Sequence, residues 1–229
     1  MNTRFLPLLV VFALPLGAYA QEEPEISTNQ QIFSYALGLQ YGQRISTQLE
    51  NQGVEIDAAA MAAGIQDAVG GEEYRIPLDE LQAAVKQYQQ DLQTKQQAAA
   101  EQNLKSGQEF LAENKAKEEV VTLPSGLQYK VLEAGSGKSP SAEDSVVVHY
   151  RGQLLDGTEF DSSYSRGEPT TLQIGETIEG WQEALPLMQE GAKWRLFVPP
   201  ELAYGERGAG GAIGPNETLI FDVELITVN

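Results

Sequence analysis

The sequence predicts an α+β protein: an all-α N-terminal region, a long linking helix, and a C-terminal twisted antiparallel sheet wrapped around one short helix. Three observations carry this expectation. Apolar residues recur at helical spacing up to residue 92 and alternate with period two in three segments beyond residue 145. Residues 76–119 hold one proline, Pro77, and one glycine, Gly107, whereas turn residues crowd the chain afterwards, from Pro124, Gly126, Gly135, Gly137 and Pro140 onward. At 229 residues, 41% of them hydrophobic, the chain is long enough for one large or two ordinary domains with real cores.

Four segments follow in order. Residues 1–20 carry a single charge, Arg4, a nearly unbroken apolar run over residues 5–16, and the small residues Ala18 and Ala20. This reads as a secretory signal peptide cut after Ala20. A membrane anchor is the alternative, but the run is about 12 residues where a span needs about 20. With no cysteine at the cleavage point, a lipid anchor is not available either. Residues 21–75 place Ile32, Phe33, Ala36, Leu37, Leu39, Tyr41, Ile45 and Leu49 on helical patterns, with Gly38 and Gly42 four apart on one face. Such a segment is too short to bury itself, and the simplest source of covering helices is a second copy of the chain, so a helical dimerisation domain and a homodimer are expected. Folding back on the long helix of the same chain is the alternative.

Residues 76–119 are expected to form one long helix. Pro77 suits a first turn, Asp79 and Glu80 favour the positive end of the dipole, and Leu78, Leu81, Val85, Tyr88 and Leu92 form one apolar stripe. Past Leu92 the stripe fades into good helix formers with nothing to bury, which predicts a solvated stalk of about 60 Å, or else a disordered Gln-rich linker. In residues 120–229, Val146, Val148 and Tyr150 alternate with Val147, His149 and Arg151. Trp194, Leu196 and Val198 do the same, as do Leu219, Phe221, Val223 and Leu225. One helix is expected there, over residues 181–188, between Gly180 and Gly191. Strands curled over one helix make an α+β domain.

Composition excludes several chemistries. There is no cysteine, which removes disulfides, thiol nucleophiles and Cys-built zinc sites. The single histidine, His149, rules out His clusters, and at mid-strand it reads as a core or rim residue rather than a base. No metal and no cofactor are expected. The net charge of −18 repels phosphate backbones and anionic lipid, so neither nucleic acid nor a membrane surface is an expected partner. Gly135-Ser136-Gly137-Lys138-Ser139 falls short of a phosphate loop, because Leu132 stands where the first glycine belongs and Pro140 prevents the following helix. The glycine-rich run 205–214 reads as a flexible loop.

What is left is an aromatic set, Tyr150, Phe160, Trp181, Tyr204 and Phe221, drawn from five separate elements of one small domain. Taken alone it is compatible with an ordinary core. The words around it are more specific. Val147-Val148-His149-Tyr150-Arg151-Gly152, Asp156-Gly157-Thr158-Glu159-Phe160-Asp161-Ser162-Ser163, Ile178-Glu179-Gly180-Trp181, Val198-Pro199-Pro200-Glu201-Leu202-Ala203-Tyr204-Gly205 and Thr218-Leu219-Ile220-Phe221-Asp222-Val223-Glu224-Leu225 closely resemble the FK506-binding family, in order and at similar spacing. Phe33-Ser34-Tyr35-Ala36-Leu37-Gly38, Gly53-Val54-Glu55-Ile56-Asp57 and Gly64-Ile65-Gln66-Asp67-Ala68 are similar to the dimerisation domain of macrophage infectivity potentiator-like and FkpA-like bacterial members.

The resemblance implies a peptidyl-prolyl cis-trans isomerase with a non-covalent mechanism. It implies Tyr150, Phe160, Asp161, Trp181, Tyr204 and Phe221 as catalytic residues, with Trp181 as the floor of a proline pocket and Tyr150, Phe160 and Phe221 as its walls. Ile178, Arg166 and Ile213 are implied as substrate-binding residues, the Ile178 N–H on a substrate carbonyl and Arg166 holding Asp161 with Tyr150. Thr170 stands where many relatives carry an aromatic wall residue. The implied partners are proline-containing unfolded or folding polypeptides, with FK506- or rapamycin-like macrolides as inhibitors, and the implied setting is the periplasm of a Gram-negative bacterium, with chaperone activity alongside. The competing readings are a non-catalytic holdase that binds proline peptides without turnover and a passive dimeric spacer whose pocket is merely core.

Overall fold

The computed structural model describes residues 25–50, 53–71 and 73–229; the expected signal peptide lies outside them. The chain divides between Ile45 and Ser46, and helix α1, Asn29–Glu50, runs through the division. Its start is a reciprocal cap. The Gln31 N–H donates to the Thr28 hydroxyl (3.3 Å) and the Gln31 side-chain oxygen accepts from the Thr28 N–H (2.9 Å). Most apolar residues of α1 are exposed, Phe33 64% and Tyr41 58%, while Ile45 and Leu49 are half-buried.

Helix α2, Ala58–Gly70, is capped by Asp57, which accepts from the Ala60 N–H at 2.8 Å, and stops at Gly71 in a left-handed conformation. Arg75 ties back to the buried Asp67 at 2.9 Å. After Pro77, helix α3 runs unbroken over Leu78–Lys115, about 57 Å at 1.5 Å per residue. A helix rather than a disordered linker is therefore present. The expectation that its second half has nothing to bury is overturned. Phe110 lies 5.7 Å from the Phe197 ring, and Asn114, 1% exposed, donates to the Gln128 side chain at 2.9 Å. Gln128 in turn donates to the Leu111 carbonyl at 2.8 Å. The helix docks through amides, the Phe110 ring and the bare surface of Gly107, with Leu104 and Leu111 half-buried on the same face, a face too mixed to continue the stripe that ends at Leu92.

The remaining strands are β1 (Val121–Thr122), β2 (Gln128–Glu133), β3 (Ser145–Gln153), β4 (Glu159–Ser162), β5 (Thr170–Gln173), β6 (Lys193–Val198) and β7 (Leu219–Val228). They form one antiparallel sheet in the order β1-β2-β6-β7-β3-β4, with β5 pairing the first half of β3. The three alternating segments are β3, β6 and β7, and their expected inward residues, from Val146 to Leu225, are buried. Phe197 is also buried, on the opposite face, because Phe110 covers it. Between β4 and β5 sits a one-turn helix that periodicity does not reveal, α4 (Ser163–Arg166), capped by Ser162 and ended by Gly167.

The helix expected over residues 181–188 is real but shorter and earlier. It is α5, Glu179–Ala184, continuing as a 3₁₀ turn over Leu185–Leu187. Pro186 has no N–H to continue the α-helical ladder, and the chain tightens there. Trp181, Ala184, Leu185 and Met188 from this segment fill the concave side of the sheet.

Candidate active site

The sheet and α5 bring the aromatic set to one place. Tyr150 on β3, Phe160 and Asp161 on β4, Ile178 and Trp181 at the start of α5, Tyr204 after the 3₁₀ turn Pro200–Leu202, and Phe221 on β7 all line one open cavity of about 440 Å³. Period-two alternation explains the strand residues: Tyr150 and Phe221 point inward, and the register pairs Gly152 with Phe221. Gly152 leaves the space that the rings need. A Cβ there would sit 2.6 Å from Phe160 Cζ and 2.9 Å from Phe221 Cε1. Gly180 does the same for the helix, since a Cβ there would meet Val198 at 2.6 Å. The rings meet edge to face, Tyr150 with Trp181 at 5.4 Å, Trp181 with Phe221 at 5.3 Å and Phe160 with Phe221 at 5.6 Å. Trp181 is thus locked from two sides as a floor, and among the described residues its indole N–H has no acceptor.

A polar network closes one side. The Tyr150 hydroxyl donates to Asp161, and Arg166 donates to the other Asp161 oxygen. Arg166 also donates to the Tyr150 hydroxyl at 2.8 Å and to the Thr170 hydroxyl at 3.1 Å, with its guanidinium 5.4 Å over the Tyr150 ring. Burial pushes the Asp161 carboxyl up, but hydrogen bonds from Tyr150 and Arg166 and the Arg166 charge outweigh it and hold it below the ordinary range. Burial, and then the bond to Asp161, raise the Tyr150 hydroxyl. Burial, and then the Asp161 charge, raise Tyr204. Both tyrosines are therefore neutral donors at physiological pH.

Two donors on cavity-lining residues are uncommitted. Among the described residues, neither the Ile178 N–H nor the Tyr204 hydroxyl donates a hydrogen bond. The Ile178 carbonyl, by contrast, is taken by Trp181 and Gln182, as the residue before α5 requires.

Comparison with known proteins decides the family. A profile described as "FKBP-type peptidyl-prolyl cis-trans isomerase" matches residues 136–226, and one described as "Domain amino terminal to FKBP-type peptidyl-prolyl isomerase" matches residues 30–131. The chain is 44% identical over 232 residues to Peptidyl-prolyl cis-trans isomerase Mip of Coxiella burnetii, covering 100% of this chain and 99% of that one. It is 41% identical to Outer membrane protein MIP of Legionella longbeachae, over 94% of this chain and 93% of the relative. The crystal structure of FkpA from Escherichia coli matches with a TM-score of 0.62 at 37% identity, over 90% of this chain and 99% of that one. The chain belongs to the FKBP-type peptidyl-prolyl isomerase family.

Within this FKBP-type domain two expected site residues stand apart from the cavity wall. Arg166 does not line it; it acts from behind, holding Asp161 and Tyr150. Ile213 does not line it either. It is 8% exposed, packs into the core, and pairs with Ala209 through mutual backbone hydrogen bonds of 2.9 and 3.0 Å. That pairing also corrects the reading of residues 205–214 as a flexible loop: the segment is folded on itself, with the Asn216 N–H on the Gly205 carbonyl at 2.8 Å. Leu172, Glu176, Thr177 and Ala203 line the cavity and were not singled out from the sequence. Thr177 and Ala203 are neighbours of Ile178 and Tyr204; Leu172 and Glu176 carry no local signal.

The discarded motifs have structural reasons. In the Gly135–Gly137 run, the Ser136 and Gly137 N–H groups both donate to the Glu190 carbonyl, at 3.1 and 3.2 Å, leaving no cradle for a phosphate. His149 stacks on Tyr164 at 4.5 Å with its Nδ1 2.9 Å from the Ser163 hydroxyl, outside the cavity. Among the described residues no group of acidic and histidine side chains is placed to hold a metal, and no helix is long and apolar enough to cross a membrane.

Proposed function

We propose that the chain catalyses rotation about X–Pro bonds of exported or folding polypeptides in the cavity floored by Trp181. The observation that carries this is the cavity itself: an open apolar box of edge-to-face rings with two uncommitted donors at its wall. Amide resonance sets a barrier of about 18–20 kcal/mol to this rotation. A proline ring against Trp181, between Tyr150, Phe160 and Phe221, sits in a site from which water is displaced, and such a site favours the twisted amide, whose resonance dipole is smaller. The Ile178 N–H and the Tyr204 hydroxyl supply hydrogen bonds to carbonyl oxygens that strengthen as the amide twists. Asp161, kept ionised by Arg166 and Tyr150, lies beside the rotating bond. No bond to the protein forms or breaks.

The reading extends to the whole chain. Residues 21–75 are proposed as a homodimerisation domain, 76–119 as the linking helix and 120–229 as the isomerase domain. The uncovered apolar residues of α1 support the first of these. Two sites on one dimer raise the effective concentration of a bound client, which supports chaperone activity beside turnover. The apolar run of residues 5–16, together with a relative named as an outer membrane protein, supports export to the periplasm of a Gram-negative bacterium. FK506- or rapamycin-like macrolides fit the same cavity as inhibitors, by their apolar rings and carbonyl acceptors.

NMR exchange spectroscopy on a short X–Pro peptide tests the activity. The parent accelerates exchange; Phe160→Ala and Asp161→Ala lower that acceleration by about tenfold or more while remaining folded, because each removes a wall or the network behind it. A folded parent that leaves exchange unchanged overturns the isomerase reading in favour of a proline-peptide holdase.

A further inference from the structure

We infer that the long helix is part of the support of the active site: Asn103 of α3 is a positioning residue that holds the turn carrying Tyr204. The inference rests on the isomerase reading of the cavity. Of the aromatic residues lining the cavity, Tyr150, Phe160, Trp181 and Phe221 are each held by another ring, whereas Tyr204 makes no ring contact among the described residues and is 40% exposed. Its position therefore depends on its backbone. The chain turns immediately after it, through the 3₁₀ turn Gly205–Arg207, and the carbonyl of Gly205 accepts from the Asn216 N–H at 2.8 Å.

The 214–218 strut that holds this turn meets α3 through two hydrogen bonds and one close approach. The Asn103 side-chain amide donates to the Pro215 carbonyl at 2.9 Å. The Asn216 side chain donates to the Ala100 carbonyl at 3.5 Å. One turn further along α3, Gly107 lies so close to Thr218 that a Cβ would fall 2.3 Å from the Thr218 hydroxyl. Beside these ties runs an open groove of about 630 Å³, lined by Gln97 and Glu101 of the helix and by Glu206 and Arg207 of the turn. Side-chain packing does not fill this side, so the hydrogen bonds set the spacing between helix and turn. Of these, Asn103 to Pro215 is the shorter side-chain tie and joins residues 112 apart in sequence. A chain without α3 has the same cavity-lining residues but loses this hold on Tyr204.

A double-mutant cycle with a structural readout tests this. In the full chain, Asn103→Ala should lower kcat/KM for a short proline peptide by about fivefold, the size of one neutral hydrogen bond, with a cooperative unfolding transition retained. In a Tyr204→Phe background the same change should have little further effect, because Asn103 acts through the Tyr204 hydroxyl. The amide NMR signals of Tyr204 and Gly205 should shift in Asn103→Ala, while those of Phe160 and Phe221 stay in place. Should Asn103→Ala fail to fold, Asn216→Gly removes the second side-chain tie, keeps a residue that accepts the positive φ of 55° there, and is read in the same way. Unmoved Tyr204 and Gly205 signals, or a loss of activity equally large in the Tyr204→Phe background, overturn the inference. Shifted signals in a protein whose parent shows no turnover defeat the isomerase reading and leave the positioning role standing.

Discussion

Asp161 shows how one carboxylate serves both stability and the site. Its two oxygens are satisfied by Tyr150 and Arg166, so removing its charge loosens a cavity wall and leaves Arg166 with only the Tyr150 and Thr170 hydroxyls. Its folded value lies below the ordinary 3.8. A depressed carboxyl contributes stability above its unfolded value and loses it as pH falls through the folded one. Tyr150, raised above 10, contributes below its unfolded value and loses that contribution only as pH rises through the higher folded one. The stability gap between the parent and Asp161→Asn is therefore expected to stay level from about pH 5 to about pH 9 and to close in acid, below about pH 4. Urea unfolding across that range checks it, and a gap that closes instead near neutrality would deny the network its assigned charge state. Residue identity made this network readable from the sequence only in part. The Asp161 word pointed to it, but the role of Thr170 as an acceptor for Arg166 depends on where β5 places it.

At the scale of elements, the cavity is made by what two strands and a helix omit as much as by what they carry. Gly152 lies across from Phe221 in the β3–β7 ladder, and its missing side chain is the volume that the Phe160 ring occupies. Gly152→Ala puts a methyl group into two aromatic rings that are themselves pinned, so overpacking is expected to cost about 1–3 kcal/mol. Turnover should fall further than the stability loss explains, because the Phe160 wall is displaced. Thermal unfolding alongside peptide kinetics separates the two effects, and wild-type turnover in a folded Gly152→Ala protein would show that Phe160 is not a wall. Alternation made Tyr150 and Phe221 legible as inward residues. The need for glycine at 152 was not, since it comes from a register between strands some 70 residues apart, about which local pattern is silent. The C-terminal half of α3 was misread for a related reason. Its closest contacts come from Gly107, Phe110 and Asn114, and the amide and glycine among them interrupt the apolar period that Leu104 and Leu111 would otherwise carry.

At the scale of the molecule, two surfaces are unlike the rest: an acidic exterior, from the net charge of −18, and the uncovered apolar residues of α1. Exposed apolar residues in such number mark an association surface. Phe33→Glu together with Leu39→Glu is expected to convert a dimer to monomers in sedimentation and to weaken suppression of client aggregation. Turnover of a short peptide should be unchanged, because every residue lining the aromatic cavity falls between Tyr150 and Phe221. A doubly substituted protein of unchanged mass would place the dimer contact elsewhere. Composition, periodicity and short words were enough for the α+β class, the long helix, the buried faces of β3, β6 and β7, and the aromatic set of the cavity. The class, the long helix and the buried strand faces follow from side-chain volume and polarity repeating along the chain, which the sequence records directly; the aromatic set is carried by the family resemblance of the words around it. The burial of Ile213 in the core, the pinning of the 205–214 segment, the glycine opposite Phe221 and the docking of α3 beside the Tyr204 turn were decided only in three dimensions. Each depends on a contact between segments far apart in the chain, where a backbone carbonyl or an absent Cβ does the recognising, and neither leaves a mark in the order of residues.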